Sequence, residues 1–187
     1  MDEQSDEAIA LLVQTGDIPA FKILVDRYES KMMRYARKFL FGYDDAQDAL
    51  QEIFIKAYRN IKSFDSSRRF SPWLYRIAHN EFINIIKKKG REPVSFFDPD
   101  TIFPHPIASQ QTDTDIKHQE LRQALDLSLN TLPAKYREPL VLFYFEEMDY
   151  KQIATIMQIP VSTVGVRIRR GKLLLQHQTK KIFPYEQ

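Results

Sequence analysis

The sequence predicts an all-α chain of two small helical domains joined by a flexible linker, the second domain carrying a helix-turn-helix. Three observations lead there. Apolar residues recur at helical spacing through both halves, and no stretch longer than a few residues alternates as a strand would. From Gly90 that periodicity fails, and Pro93, Pro99, Pro104 and Pro106 arrive among Ser95, Asp98, Asp100, Ser109 and Thr112, a linker composition. Residues 131–172 hold two short helical patterns hinged at Gln158-Ile159-Pro160, the second densely basic. The expected organisation is a domain over 1–90, a linker over 91–115 and a domain over 116–187.

In chain order, residues 7–14 and 20–41 read as helices, the second keeping Phe21, Leu24, Val25, Tyr28, Met32, Tyr35 and Phe39 on one apolar stripe. Gly16-Asp17 and Gly42-Tyr43-Asp44 are the breaks. Asp44 or Asp45 caps the next helix, which runs to about residue 61. Ser71-Pro72 reads as an N-cap followed by proline at the first helical position, opening a helix that carries Trp73 to Lys89. Periodicity resumes near Ile116 with Leu121, Leu125, Leu129 and Leu132.

The hinged pair is then opened by Asp149-Tyr150-Lys151-Gln152, which has the form of a capping box, followed by an apolar face of Ile153, Ala154 and Met157. Past the hinge, Val161, Val164, Ile168 and Leu175 recur at helical spacing, whereas Thr163, Arg167, Arg170 and Lys172 fall on other sides. One face holds such a helix to its domain while another can enter a major groove. A helical hairpin with a solvated basic face has the same pattern, so the pattern alone leaves both readings open.

Composition narrows the function. The chain has 187 residues, 43% hydrophobic and 28% charged, enough for a core in each half. Zero cysteines exclude thiol catalysis, disulfides and Cys-containing zinc sites. The acidic opening MDEQSDEAIALLVQ lacks the basic region of a secretory signal, and no run approaches the roughly 20 apolar residues of a membrane helix. His79, His105, His118 and His177 are scattered, and no HExxH, Walker loop, GxSxG or paired-carboxylate arrangement appears. Neither an enzyme nor a metal or cofactor site is expected.

The net charge of +2 hides a segregation. Arg68, Arg69, Arg76, Lys87, Lys88, Lys89 and Arg91 form one basic zone, and Arg167, Arg169, Arg170 and Lys172 another, which implies two nucleic-acid contacts. Asp44, Asp45, Asp48 and Glu52 reverse the sign at the start of a helix, where compensation of the helix dipole alone would favour acids. Trp73 and Tyr75 beside Arg69 and Arg76 suit base stacking and backbone tracking, although core packing is an equal reading for Trp73. Asn80 is suited to a bidentate base contact. The linker of about 25 residues reaches at most ~80 Å and averages ~30 Å as a coil, so two weak DNA contacts can act as one strong one. Phe96, Phe97, Ile102 and Phe103 suggest that part of it docks on a protein surface.

Motifs in both halves resemble one family. LP-x-x-YRE-P-L-x-L-x-Y followed by Y-x-x-IA-x-x-M-x-IP-x-x-TV-x-x-R-x-x-RGK is similar to the C-terminal promoter-binding domain of bacterial sigma factors of the extracytoplasmic-function group, including the sigma-E type. D-x-x-QE-x-F-x-KAY at residues 48–58 and F-x-x-WLYRIA-x-N at residues 70–80 resemble the first sigma domain, the latter being the most specific match. Together they cover about residues 8–90 and 116–178. Departures are Gln47, Asn84, the pair Gly165-Val166 where a basic or polar pair is usual, and Gln158 at a turn that commonly takes Gly or Asn.

The resemblance implies a stress-response transcription factor of the bacterial cytoplasm that lends promoter specificity to RNA polymerase core. Asp45, Asp48, Gln51, Glu52 and Phe54 would dock on the β′ clamp helices. Phe64 and its loop would receive a flipped base of the −10 element, with Lys56, Arg76, Ile77 and Asn80 along the non-template strand, while Arg69, Trp73 and Tyr75 join the −10 contacts on the stacking and tracking reading above. The second domain would sit on the β flap and read the −35 element through Ser162, Thr163, Arg167, Arg170 and Lys172. An anti-sigma factor, which can hold such a protein at the inner membrane, is a usual partner, and the linker would thread near the polymerase active-site cleft. The alternative from another class is a helix-turn-helix repressor or activator that binds duplex DNA without polymerase.

Overall fold

The computed structural model describes residues 4–40, 43–88 and 123–182. Every regular element among them is a helix: α1 (Asp6–Gln14), α2 (Phe21–Phe39), α3 (Tyr43–Asn60) and α4 (Phe70–Lys88), then α5 (123–131), α6 (Ala134–Tyr144), α7 (Tyr150–Met157) and α8 (Val161–Ile182). Three-residue 3₁₀ turns precede α2 and follow α3. The expected linker and its Phe96, Phe97, Ile102 and Phe103 lie outside the described residues.

In α2, Leu24, Tyr28, Met32, Tyr35, Ala36 and Phe39 are buried, so the apolar stripe faces the core as its period requires. Beneath it sits an aromatic cluster in which Phe82 of α4 meets the rings of Tyr35 at 4.8 Å and Phe39 at 6.0 Å. Helix α4 starts at Phe70, two residues earlier than the Ser71-Pro72 signal indicates. The cause is a cap from elsewhere in the chain: Glu7 Oε1 accepts the Phe70 N–H at 2.9 Å, bringing a carboxylate to a helix N-terminus. Pro72 still falls in the first turn, where its missing N–H costs nothing. Asp44 and Asp45 fall in the first turn of α3, and their side chains are outside the described residues.

The helix-turn-helix forms as its signals require. Asp149 accepts the Gln152 N–H at 2.8 Å while the Gln152 side chain accepts the Asp149 N–H at 2.9 Å, closing the capping box of α7. Gln158 ends α7 in the left-handed conformation, φ 55°, ψ 45°, which is the conformation that makes Gly or Asn common at such a turn. Val164 and Ile168 of α8 are buried, but Val161 is 44% exposed and lies off the packed face, because the helix enters from the turn before it meets its neighbours.

Two glycines of α8 should respond oppositely to alanine. A Cβ on Gly171 would stand 2.9 Å from Leu140 Cδ1 and 3.1 Å from the Tyr136 carbonyl oxygen, so the α6–α8 crossing depends on that missing methyl. One on Gly165 would meet only the Tyr150 ring, at 3.5 Å. Gly171→Ala is therefore expected to lose about 1–3 kcal/mol to overpacking. Gly165→Ala should gain about 0.5–1 kcal/mol from helix propensity. Urea unfolding of the two variants checks both signs.

The two groups of helices, α1–α4 and α5–α8, also touch. Helix α2 packs on α6 and α4 on α7. A linker signal says only that two groups are joined, so this contact was not to be expected from it.

Candidate nucleic-acid interface

Helix α3 presents its acids on one outer face. Asp48 and Gln51 are exposed, Glu52 is partly so, and Ile55, 44% exposed, continues the same i, i+3, i+4, i+7 row. Phe54 differs: it is partly buried against the core. Sequence reasoning omitted Ile55, whose place in the row was the available signal. Asp45, expected on this surface, has a side chain outside the described residues.

Lys56 bridges α3 and α4, pairing with Glu81 and, at 3.4 Å, with Glu52; the hydrogen bond to Glu81 leads in raising its pKa. The loop before α4 is held from both ends. Gln14 Nε2 donates to the Ile61 and Phe64 carbonyls, both at 2.7 Å, and Asp65 accepts from the Ser67 N–H at 3.0 Å and hydroxyl at 2.6 Å. Those Ser67 bonds lower the Asp65 pKa. Arg68 and Arg69 stand exposed on this fixed loop. Phe64 is buried behind it, with ring centroids 5.4 Å from Phe70 and 5.3 Å from Trp73.

Along α4 the expected DNA residues divide. Arg76 and Asn80 are exposed, Trp73 and Ile77 partly buried, and Tyr75 only 2% exposed. Tyr75 offers no stacking surface in this conformation: its hydroxyl donates to Glu146 at 2.5 Å, and burial followed by the Glu146 charge pushes its pKa upward. For Trp73 the two readings meet, since its ring is packed on Phe64 and Phe70 yet keeps an exposed edge.

On α8, helical period places Ser162, Thr163, Val166, Arg169 and Arg170 opposite the buried Val164 and Ile168. Arg167 flanks this row. Lys172 lies on the other flank, with its ammonium 5.9 Å from the Tyr144 ring centroid. Arg169 was left out of the expected set, although one turn of spacing from Ser162 and Val166 puts it there. A basic row on the second helix of a helix-turn-helix can reach bases with its first turn and phosphates beyond it. No cluster of metal-ligating side chains occurs among the described residues.

A helix-turn-helix with an exposed basic row, joined to a second helical group with its own basic loop, describes a class, the two-part helical proteins fitted to nucleic acid. Residues 24–92 match the family model for sigma-70 region 2, and residues 122–175 match that for sigma-70 region 4. The chain is 37% identical over 178 residues to the ECF RNA polymerase sigma factor SigW of Bacillus subtilis, covering 91% of this chain and 94% of that one. It is 34% identical over 190 residues to the ECF RNA polymerase sigma-E factor of Escherichia coli K12, covering 97% and 98%. Its fold is similar to that of the sigma factor RpoE in complex with the anti-sigma factor NepR from Bartonella quintana, with a TM-score of 0.65, 26% identity and coverage of 86% and 96%. This chain belongs to the ECF RNA polymerase sigma factors of the sigma-70 family.

Proposed function

We propose that the chain directs core RNA polymerase to promoters and helps open the −10 element, acting as a non-enzymatic initiation factor. In this reading residues 1–90 bind core through Asp48, Gln51, Glu52 and Ile55 and engage the opened strand through the 61–70 loop and α4. Residues 116–187 read the −35 duplex through Ser162, Thr163, Arg169 and Arg170, flanked by Arg167 and Lys172. The observation that carries it is the pairing of both sigma matches, in order, with a separate exposed basic row in each.

No helix among the described residues is long and apolar enough to cross a membrane, which is compatible with work in the cytoplasm. An anti-sigma factor is the proposed regulator, as in the RpoE complex. The repressor alternative has no support in a sigma region 2 match. Core polymerase given this protein should initiate at discrete promoters that core alone ignores, read by sequencing the transcripts. A protein that footprints free duplex DNA and leaves core transcription unchanged would refute the proposal.

A further inference from the structure

One side chain on the exposed row of α8 does not share the row's chemistry. Val166 is 49% exposed and stands at the centre, with Ser162 and Thr163 one turn before it and Arg169 and Arg170 one turn after. The helix is held to its neighbours by the opposite face, through the buried Val164 and Ile168, so the Val166 isopropyl group adds nothing to the core. A β-branched residue is also a poor filler for an exposed helix position, because it lowers helix propensity and here gains no packing in return.

A lone exposed valine carries no message in itself. Its surroundings give it one. Gly165 has no side chain, and the nearest group on that flank is the Tyr150 ring, 3.5 Å from where a Cβ would stand. Over two consecutive positions, between hydroxyls on one side and guanidinium groups on the other, α8 therefore offers carbon and no hydrogen-bonding side chain. The base edges of a major groove meet such a surface differently. Guanine N7 and O6, adenine N7 and N6, and the cytosine N4 amine would each lose water against it and gain no partner, whereas thymine presents its C5 methyl. Val166 lies in the second turn of α8, within the part of a recognition helix that reaches base edges.

Resting on the sigma-factor reading, we propose that Val166 is a specificity-determining residue of α8, its isopropyl group packing on the C5 methyl of one thymine in the −35 duplex. The methyl lies off the centre of the base pair, so the contact distinguishes T·A from A·T as well as from both G·C orientations. Phosphate contacts from the basic side chains around it position the helix without choosing a sequence. Val166 supplies a choice at one position.

The test removes that methyl and nothing else. Promoters are taken from the transcripts that core polymerase makes with the full chain, and their duplexes are rebuilt with deoxyuridine in place of each −35 thymine in turn, on either strand. Holoenzyme containing the native chain should bind one of these duplexes about fourfold more weakly than its thymine parent, the effect of losing one buried methyl contact, in competition binding too cold for melting. Val166→Ser should bring the thymine-to-deoxyuridine ratio at that position to about one. Arg170→Ala should weaken both duplexes together and keep the ratio. Circular dichroism melts verify the fold of each variant, and substitution at exposed Val166 disturbs it little. The absence of any sensitive thymine, one that stays sensitive in folded Val166→Ser, or a ratio that Arg170→Ala abolishes as fully, overturns the assignment. Failure of the holoenzyme to bind or use any promoter counts against the sigma-factor reading and takes this inference with it. Normal promoter binding with no sensitive thymine counts against the Val166 contact alone.

Discussion

Replacing Asp48 with lysine is expected to weaken binding to core polymerase by roughly 2–4 kcal/mol, or about 30- to 1,000-fold, while leaving the melting curve in place. Two observations separate this residue from ordinary helix-dipole compensation. Asp44 and Asp45 occupy the first turn of α3, where the dipole acts, but Asp48 is a turn further on. It is exposed and makes no ion pair among the described residues. A surface substitution of this kind changes stability by about 0.5 kcal/mol or less. At an interface with a basic partner the same change brings like charges together. Fluorescence anisotropy of labelled protein against core, beside thermal melts, gives both numbers. Unchanged affinity in a normally folded Asp48→Lys variant would remove the α3 face from the proposed core surface, and Ile55→Ala would then be the next position to measure.

The parts of this fold legible in sequence are those fixed by local chemistry. The α2 stripe, the Asp149–Gln152 capping box and the hinge at Gln158 each depend on residues within one or two turns, and each forms as expected. What escaped depends on distant partners. Glu7 advances the start of α4 from 63 residues away, and Glu138 meets Tyr35 across 103 residues. A buried glutamate inside a helical pattern looks like any solvated one until its partner is located. The same holds for Tyr75, which reads as an available aromatic beside basic residues and is instead closed over by Glu146. Arg169 and Ile55 are a different kind of omission, because period alone placed them on the exposed rows. A family motif marks residues by identity, whereas helical geometry marks those that share a face.

Trp73→Ala and Asn80→Ala should fail in different ways, and the difference tests the proposed role of α4 in promoter opening. The Trp73 ring has centroids 5.3 Å from Phe64 and 5.4 Å from Phe70, and it backs the loop that carries Arg68 and Arg69. Truncating it is expected to cost about 3 kcal/mol of stability, the low end for a tryptophan because part of the ring remains exposed. Lost activity in that variant therefore mixes unfolding with lost strand contacts. Asn80 carries no such burden, being exposed on the same helix one turn beyond Arg76. Asn80→Ala should melt as the native protein does and bind closed promoter normally. If its amide makes a bidentate base contact, worth about 1–3 kcal/mol, the open complex should be destabilised by roughly 5- to 150-fold. Permanganate reactivity of promoter thymines reads opening directly, and filter binding at a temperature too low for melting reads closed-complex affinity. Equal losses in both assays would place Asn80 on the duplex instead of the opened strand. No loss in either would leave Arg76 and the 61–70 loop as the remaining contacts with the −10 element.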